Sequence, residues 1–235
     1  MYNFEYKNPV KIIFGKGTIP KVKKEIPQNA KVLLTFGGGS IKKTGVYDQV
    51  KNALKNVEVI EFGGIEPNPH YETCMKAVEV VQKENIDFLL SVGGGSVLDA
   101  TKFIAAAALY KNGDPWDILA KSDRIAVKEA LPIGAVLTLP ATGSEMNGNS
   151  VITRVSIQEK LAFGSPEVMP KFSILDPECV ITLPDRQVAN GIVDAFIHVM
   201  EQYLTFDVNS PIQDRFAESI LVTLIEEGPK VLADR

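Results

Sequence analysis

Short apolar runs without helical spacing alternate along the chain with segments whose apolar residues recur every three or four positions. Residues 31–36 and 86–92 are two such runs, and each leads into the tetrapeptide Gly-Gly-Gly-Ser, at 37–40 and at 93–96. Runs of this kind are typical of strands that are buried on both faces of a parallel sheet. After both glycine runs the period lengthens to that of a helix. The pattern therefore predicts two units of strand, glycine-rich turn and helix.

The rest of the chain continues this alternation and then changes character. The further predicted elements are a strand over 57–62, a helix over 72–84, a strand over 133–139, a hairpin from 151–155 and 160–163, and a strand from 172 that ends at Pro177. Alternating strands and helices predict a Rossmann-like α/β domain with a parallel sheet, here over residues 1–183. From Pro184 onward the apolar residues keep helical spacing, with a second helix beginning near Phe216. Residues 184–235 are therefore expected to form the first helices of an all-α domain.

Composition excludes several classes of protein. The 25 basic and 29 acidic residues give a formal charge of −4, and the basic residues are scattered, so nucleic acid is not an expected partner. The sequence has no stretch of 18 apolar residues and no signal-like start, which predicts a cytoplasmic protein without a membrane partner. Cys74 and Cys179 have no metal-binding or framework spacing and are expected to be buried free thiols.

The two glycine runs are the first candidates for chemistry. A glycine-rich turn into a helix directs backbone N–H groups to one point, and the missing Cβ lets a phosphate approach closely, as expected at Gly95. Neither run fits the dinucleotide fingerprint, since Leu98 stands where the second run needs its last glycine, and neither is a P-loop. An ordinary tight turn is the alternative. Ser96, and Asp99 in the expected first helical turn, are equally explained as residues that stabilise the start of the helix.

Asp194 and His198 are the second candidate. They are four residues apart on the helix predicted after Pro184, so a carboxylate and an imidazole share one helix face and can hold a divalent cation. For an isolated pair, an intrahelical hydrogen bond is the simpler interpretation. The only other histidine, His70, follows a proline-rich loop and is expected to be a surface or packing residue.

Five motifs occur in an order that resembles the iron-containing, or group III, alcohol dehydrogenases. They are Phe-Gly-Lys-Gly at 14–17, Pro-Asn-Pro at 67–69, the glycine run with its helix start at 93–99, Leu-Pro-Ala-Thr-Gly-Ser-Glu at 139–145, and Asp-Ala-Phe-Ile-His at 194–198. The similarity extends over the whole chain and is greatest to the NADPH-dependent butanol dehydrogenase and aldehyde reductase branch. It implies a dehydroquinate synthase-like fold and a metal-dependent enzyme that transfers hydride between NADP(H) and a small alcohol or aldehyde.

The resemblance also assigns residues to the cofactor. It implies that Gly94, Gly95 and Ser96 hold the pyrophosphate, with Asp99 supporting that turn. The nicotinamide side is assigned to Thr138, Leu139 and Thr142, the nearby ribose and phosphate to Asn147 and Lys160, and the adenosine ribose to Gly38, Gly39 and Ser40, while Asn68 of the Pro-Asn-Pro motif also belongs to the cofactor site.

The adenosine loop implies a preference between the two nicotinamide cofactors. NAD-preferring relatives carry an acidic residue near this loop, which bonds the ribose diol and repels a 2′-phosphate. Here the loop has no carboxylate, and Lys42 and Lys43 follow it. NADP(H) is therefore the expected cofactor, and an aspartate at Gly39 is expected to reverse the preference.

The metal ligands implied by the resemblance are incomplete in this sequence. Family members hold Fe²⁺ or Zn²⁺ with one aspartate and three histidines, and Asp194 and His198 match the first two of these catalytic ligands. No histidine follows His198. The chain is therefore expected to be truncated at its C-terminal end, and to form a homodimer or associate with the missing piece.

Two other functions stay open at this stage. One is a polyol dehydrogenase or a dehydroquinate-synthase-like enzyme of similar architecture, which would act on vicinal diols rather than primary aldehydes. The other is a non-catalytic, nucleotide-binding remnant, which would bind NADPH without turnover.

Overall fold

The computed structural model describes residue 3 and residues 5–206 and 209–234 of the chain. Its strands are β1 (Lys11–Phe14), β2 (Lys31–Phe36), β3 (Glu58–Phe62), β4 (Phe88–Gly94), β5 (Ile133–Leu139), β6 (Asn149–Arg154), β7 (Glu159–Gly164) and β8 (Phe172–Leu175). Six of them form one parallel sheet in the order β1-β8-β5-β4-β2-β3, and β6 and β7 form a separate antiparallel hairpin. The predicted α/β fold class is thereby confirmed.

Eight α-helices accompany these strands in the described part of the chain. They are α1 (Val22–Glu25), α2 (Ser40–Lys43), α3 (Val46–Ala53), α4 (Tyr71–Glu84), α5 (Gly95–Ala107), α6 (Asp117–Ala120), α7 (Asp185–Tyr203) and α8 (Pro211–Ala233). None of the helices over the described residues is long and apolar enough to cross a lipid bilayer.

The sheet is buried on both faces, which explains why its strands are almost continuously apolar. Alternate residues of one strand point to opposite faces. Leu33 and Leu89 pack in the cluster that contains α4 and α5, whereas Val32 and Leu90 pack in the cluster that contains α3. A strand covered on both faces needs apolar residues at every position, so the period-2 pattern is absent from the sequence.

The strand order places the glycine-rich turns at one point of the sheet. From β2 the chain proceeds outward to β3, returns to β4 on the other side of β2, and continues from β4 to β5. The carboxyl ends of β2 and β4 therefore flank the position where the winding direction reverses. In open parallel sheets such a crevice is where ligands bind.

Most of the predicted elements are confirmed, with corrected boundaries. The strand expected from residue 86 begins at Phe88, because Asp87 instead accepts a hydrogen bond from the backbone N–H of Lys31. The last strand ends at Leu175 rather than at the proline, and the second C-terminal helix begins at Pro211 rather than near Phe216. Strand β1 was not predicted. The division into domains at residue 183 stays a prediction.

Helices α7 and α8 pack against each other, and α7 also packs against the loop that follows β5. A Cβ built on Gly228 would lie 3.0 Å from Cγ2 of Ile192, and a Cβ on Gly191 would lie 2.8 Å from the carbonyl oxygen of Pro140. Both glycines therefore permit close approach. The remaining surface of the pair exposes large apolar side chains, namely Val193, Ile197, Phe216, Ile220, Val222 and Ile225.

Candidate functional site

The amino end of α5 is the centre of the site. Strand β4 runs directly into this helix, and Gly94 at the N-cap forms no side-chain capping hydrogen bond. The first backbone N–H groups of α5 therefore have no side-chain acceptor at the cap and lie at the positive end of the helix dipole. This geometry suits an anionic ligand.

The glycines of this turn are required by packing within the protein. A Cβ on Gly93 would lie 2.6 Å from Cγ2 of Val97, and a Cβ on Gly95 would lie 2.5 Å from Oγ1 of Thr142. Packing against Thr142 is thus one reason for the missing side chain at Gly95, and the close approach of a phosphate there stays a prediction.

Three of the predicted cofactor residues come together beside the α5 start. The Lys160 ammonium donates to Oδ1 of Asn68 at 2.7 Å, and the backbone N–H of Asn68 donates to Oγ of Ser96 at 3.4 Å. Lys160 lies on β7, so the hairpin brings a positive charge to the Pro-Asn-Pro loop. The long contact to Ser96 leaves this hydroxyl only weakly engaged.

Asp99 makes contacts that the sequence analysis did not predict. It lies one residue beyond the first turn of α5, and its carboxylate binds the loop and hairpin that follow β5. Ser144 Oγ donates to Oδ1 at 2.7 Å, and the backbone N–H of Val151 donates to Oδ2 at 3.0 Å. Asp99 therefore joins α5 to the loop and the hairpin, and its support of the glycine-rich turn stays a prediction.

Lys102 is a buried residue of the site that the sequence analysis missed. Its side chain is fully buried, and the three N–H groups of its ammonium are shared among four oxygen atoms within hydrogen-bond distance. These are the Ser144 carbonyl at 2.7 Å, the Ser144 hydroxyl at 2.8 Å, Oδ1 of Asn147 at 3.1 Å and the Asn149 carbonyl at 2.8 Å. The available signal was the Asp-x-x-Lys spacing, which places the only two charged residues of α5 on one face.

Burial shifts the titration of this pair. It lowers the pKa of Lys102 to about 8, and the negative charges of Asp99 and Glu145 act in the opposite direction. Burial also raises the pKa of the Asp99 carboxyl, while the Ser144 hydrogen bond and the Lys102 charge act to lower it. Hydrogen bonds and opposite charges from neighbouring residues thus take the place of solvent around both groups.

The residues expected on the nicotinamide side lie at the end of β5 and in the loop after it. Thr138 and Leu139 are half-buried at the end of the strand, and Thr142 is exposed beside Gly95. Asn147 was expected to reach the ribose and phosphate. Its amide holds the loop, because Oδ1 accepts from Lys102 and from the Asn149 N–H, and Nδ2 donates to the Gly143 carbonyl at 3.0 Å. Its contact with the cofactor stays a prediction.

The adenosine loop has the expected open space but two unexpected details. A Cβ on Gly38 would meet nothing within 4 Å, whereas Gly39 has a φ of +93°, which is strained for any residue with a side chain. An aspartate at Gly39 would therefore be strained, whereas an aspartate at Gly38 would have both space and an ordinary backbone conformation. Lys42 lies 5.0 Å from the Phe36 ring and 4.8 Å from the Tyr47 ring, so its ammonium is already engaged by aromatic faces.

Asp194 and His198 lie together on α7, close to the contact between α7 and the loop after β5. Nδ1 of His198 is 3.8 Å from Oδ2 of Asp194, which is too long for the intrahelical hydrogen bond considered above. Both side chains are about two-fifths exposed, at 43% and 42%. Within the described residues, no group of three or more His, Cys, Asp or Glu side chains could hold a metal ion.

The residues that were not assigned to a site behave as expected. Cys74 and Cys179 are buried free thiols. Burial raises the pKa of both, that of Cys179 to about 11, so neither is an activated nucleophile. Nδ1 of His70 lies 3.6 Å from a carboxylate oxygen of Glu66, beside the loop that precedes α4.

The sheet order and the turns at its switch point define a Rossmann-like α/β protein. The family model for iron-containing alcohol dehydrogenases matches residues 9–177. The chain therefore belongs to the iron-containing alcohol dehydrogenase family, which confirms the resemblance seen in its five motifs.

Individual relatives agree with this assignment. The chain is 59% identical over 235 residues to the NADPH-dependent aldehyde reductase YqhD of Escherichia coli, covering 100% of this chain and 60% of that protein. It is 52% identical over 237 residues to the probable NADH-dependent butanol dehydrogenase 1 of Bacillus subtilis, with the same coverage. The chain thus spans about 60% of the length of these relatives.

Solved structures give the same result for the fold. The structure of NADH-dependent butanol dehydrogenase A from Thermotoga maritima superposes with a TM-score of 0.93 at 45% identity, covering 98% of this chain and 58% of that one. A crystal structure of E. coli YqhD superposes with a TM-score of 0.96 at 58% identity, covering 99% of this chain and 60% of that one. The fold predicted from the sequence is therefore the fold of these solved structures.

The lowered pKa of Lys102 predicts how stability depends on pH. Folded Lys102 releases its proton near pH 8, whereas the ordinary value is 10.5. Between these values the unfolded chain binds more protons, so the free energy of unfolding rises with pH. From about pH 7.5 to about pH 9.5, the wild-type chain should gain roughly 2 kcal/mol relative to Lys102→Met.

Urea denaturation at both pH values measures this difference. Lys111→Met, which replaces an exposed lysine, is the matched control and should follow the wild type. A difference between the wild type and Lys102→Met that stays constant with pH would contradict the assigned proton release.

Proposed function

We propose that this chain is the cofactor-binding part of a metal-dependent alcohol dehydrogenase or aldehyde reductase. The enzyme transfers hydride between NADP(H) and a small alcohol or aldehyde. The observation that carries the proposal is the amino end of α5, which lies at the switch point of the sheet without a side-chain cap. A dinucleotide pyrophosphate is the anion that best fits such a helix end in a Rossmann-like sheet.

The flanking loops support one orientation of the cofactor. The open turn at Gly38 and Gly39, with Ser40 at the start of α2, would receive the adenosine ribose, and the pyrophosphate would lie on Gly94, Gly95 and Ser96. The nicotinamide would then extend towards Thr138, Leu139 and Thr142, with the Lys160–Asn68 pair at the side. In this orientation Lys160 and the helix dipole both oppose the charge of the phosphates.

The names of the relatives do not decide the preference between NADP(H) and NAD(H). YqhD is described as NADPH-dependent, whereas the Bacillus subtilis relative is described as probably NADH-dependent. The adenosine loop favours NADP(H), because residues 37–40 carry no carboxylate that would repel a 2′-phosphate. Lys43 rather than Lys42 would face that phosphate, since Lys42 is held over two aromatic rings.

The metal would be held by α7. Asp194 and His198 offer a carboxylate oxygen and an imidazole nitrogen on one exposed face, and this donor set suits Fe²⁺ or Zn²⁺. When bound, such a metal supplies Lewis acidity that polarises the substrate oxygen. Two ligands do not complete a catalytic site, which normally has about three protein ligands and an open position.

The incomplete ligand set supports a second candidate, a nucleotide-binding chain that performs no chemistry alone. The exposed apolar surface of α7 and α8 agrees with it, because contiguous apolar surface of this kind is normally covered. In both cases we propose that further helical polypeptide covers this surface. A vicinal-diol substrate has no observation in its favour.

Replacing Ser96 tests the pyrophosphate position. Ser96→Asp places a carboxylate in the first turn of α5, which should stabilise the free protein by about 0.3–1 kcal/mol through the helix dipole. The same carboxylate should repel the pyrophosphate and raise the Kd for NADPH at least about tenfold. Fluorescence titration and thermal melting without cofactor measure the two effects. Ser96→Ala is the uncharged control, and equal NADPH affinity in both variants would place the phosphates elsewhere.

Replacing Gly38 tests the cofactor preference. The unmodified chain should bind NADPH more tightly than NADH, and Gly38→Asp should reverse this order through repulsion of the 2′-phosphate. Gly38→Asn has nearly the same shape without the charge and should leave the order unchanged. Equal affinity of the unmodified chain for both cofactors would contradict the assigned loop.

The ligand count predicts the catalytic behaviour of the chain. The purified 235-residue chain should bind NADPH but not reduce a small aldehyde when Fe²⁺ or Zn²⁺ is added, because Asp194 and His198 hold a metal only weakly. The complete E. coli aldehyde reductase, assayed under the same conditions, is the positive control. Chelator-sensitive turnover by this chain alone, at ordinary enzyme rates, would show that the count is wrong.

A further inference from the structure

We propose that Lys102 is a positioning residue for the nicotinamide half of the cofactor. It does so by holding the loop between β5 and β6, residues 140–148, against α5. The proposal rests on the proposed function, because it takes the dinucleotide as the ligand of this edge of the sheet. Lys102 itself is fully buried and does not touch the cofactor.

The contacts of Lys102 fix both ends of the second half of this loop. The ammonium binds the carbonyl and hydroxyl of Ser144 at 2.7 and 2.8 Å, and it binds the Asn149 carbonyl, where β6 begins, at 2.8 Å. Oδ1 of Asn147 completes the set at 3.1 Å. An apolar side chain of equal length would remove the ammonium donor from both carbonyl groups and leave the Ser144 carbonyl with the long 3.4 Å contact from the backbone N–H of Asn147, and the loss of such donors is costly in a protein interior.

The contact with Ser144 extends to the cofactor site. The backbone N–H of Ser144 donates to Oγ1 of Thr142 at 3.3 Å. The Thr142 side chain in turn packs directly against Gly95. A Cβ built on Gly95 would lie only 2.5 Å from Oγ1 of Thr142. A displacement of Ser144 therefore moves Thr142 at the point where the pyrophosphate and nicotinamide would meet.

Asp99 holds the same loop from the adjacent position on the helix. It accepts from the Ser144 hydroxyl at 2.7 Å and from the Val151 N–H at 3.0 Å, and its carbonyl accepts from the Ser150 hydroxyl at 2.8 Å. Asp99 and Lys102 thus act on one loop with opposite charges. This shared target explains why two ionisable residues interrupt an otherwise apolar helix.

The adenosine loop is separate from this arrangement. The nearest neighbours of a Cβ on Gly37 would be the Ile65 carbonyl at 3.3 Å and Val97 at 3.6 Å, and a Cβ on Gly38 would meet nothing within 4 Å. Loosening the loop at 140–148 should therefore affect one half of the dinucleotide. A general structural role for Lys102 would weaken both halves alike.

Binding of the cofactor and of one of its fragments distinguishes these roles. NADPH and adenosine 2′,5′-bisphosphate, which lacks the nicotinamide half, are titrated into the wild-type chain and into Lys102→Met. Because a displaced Thr142 would no longer contact the nicotinamide half, Lys102→Met should raise the Kd for NADPH at least about tenfold. It should leave the Kd for the fragment, which lacks that half, within about twofold.

Two further variants keep the test decisive. Ser144→Ala removes one acceptor of Lys102 and the donor to Asp99, keeps the backbone contact, and should shift only the NADPH affinity, by less than Lys102→Met. It gives the answer if Lys102→Met does not fold. Phe88→Ala weakens the core at the opposite end of β4 and should change neither affinity.

An equal loss of affinity for both ligands in Lys102→Met and Ser144→Ala, or no loss for either, would overturn the positioning role. A wild-type chain that binds neither ligand would instead overturn the proposed function, and the positioning role with it.

Discussion

The close approach of α5 to the sheet is the constraint on which the rest of the site depends. The first turn of α5 can follow β4 directly only because Gly93 leaves room for Val97 and Gly95 leaves room for Thr142. Eleven of the 13 residues of α5 are buried, and the two that are only partly buried are Ser96 and Asp99. The helix is therefore set into the protein with one small polar patch facing the ligand edge and the hairpin.

Two charges inside this apolar helix connect the sheet to the hairpin. A buried ion costs free energy unless hydrogen bonds replace its water, and both Asp99 and Lys102 obtain those hydrogen bonds from residues 144–151. The loop after β5 in turn has no regular structure beyond one short 3₁₀ turn at Ser144–Met146. Its conformation is thus determined by partners that lie some 45 residues away in sequence.

The sequence predicted the sheet well because its strands and turns carry local signals. Strands β2, β4 and β5 are continuous apolar runs, and both Gly-Gly-Gly-Ser turns follow from composition alone. Strand β1 was missed because it has four residues and lies at an edge, where Phe14 is 72% exposed. Edge strands of this length lack the pattern that identifies a buried strand.

The site was predicted less completely, because its details depend on distant contacts. A lysine in a helix is normally solvated, and the Asp-x-x-Lys spacing alone does not show that Lys102 is fully buried. The positive φ of Gly39 and the aromatic contacts of Lys42 are likewise products of the folded chain. The protein contacts of Asp99 and Asn147 could not be predicted for the same reason, since their partners are set by the tertiary fold.

Gly191 determines how helix α7 is oriented relative to the loop after β5. A Cβ at this residue would lie 2.8 Å from the Pro140 carbonyl oxygen, so α7 and the loop after β5 are in direct backbone contact and leave no room for a side chain between them. Asp194 and His198 lie three and seven residues further along the same rigid helix. The orientation of Asp194 and His198 is therefore fixed relative to the α/β sheet, and any helical polypeptide that packs on α7 meets these two side chains in an orientation that already exists.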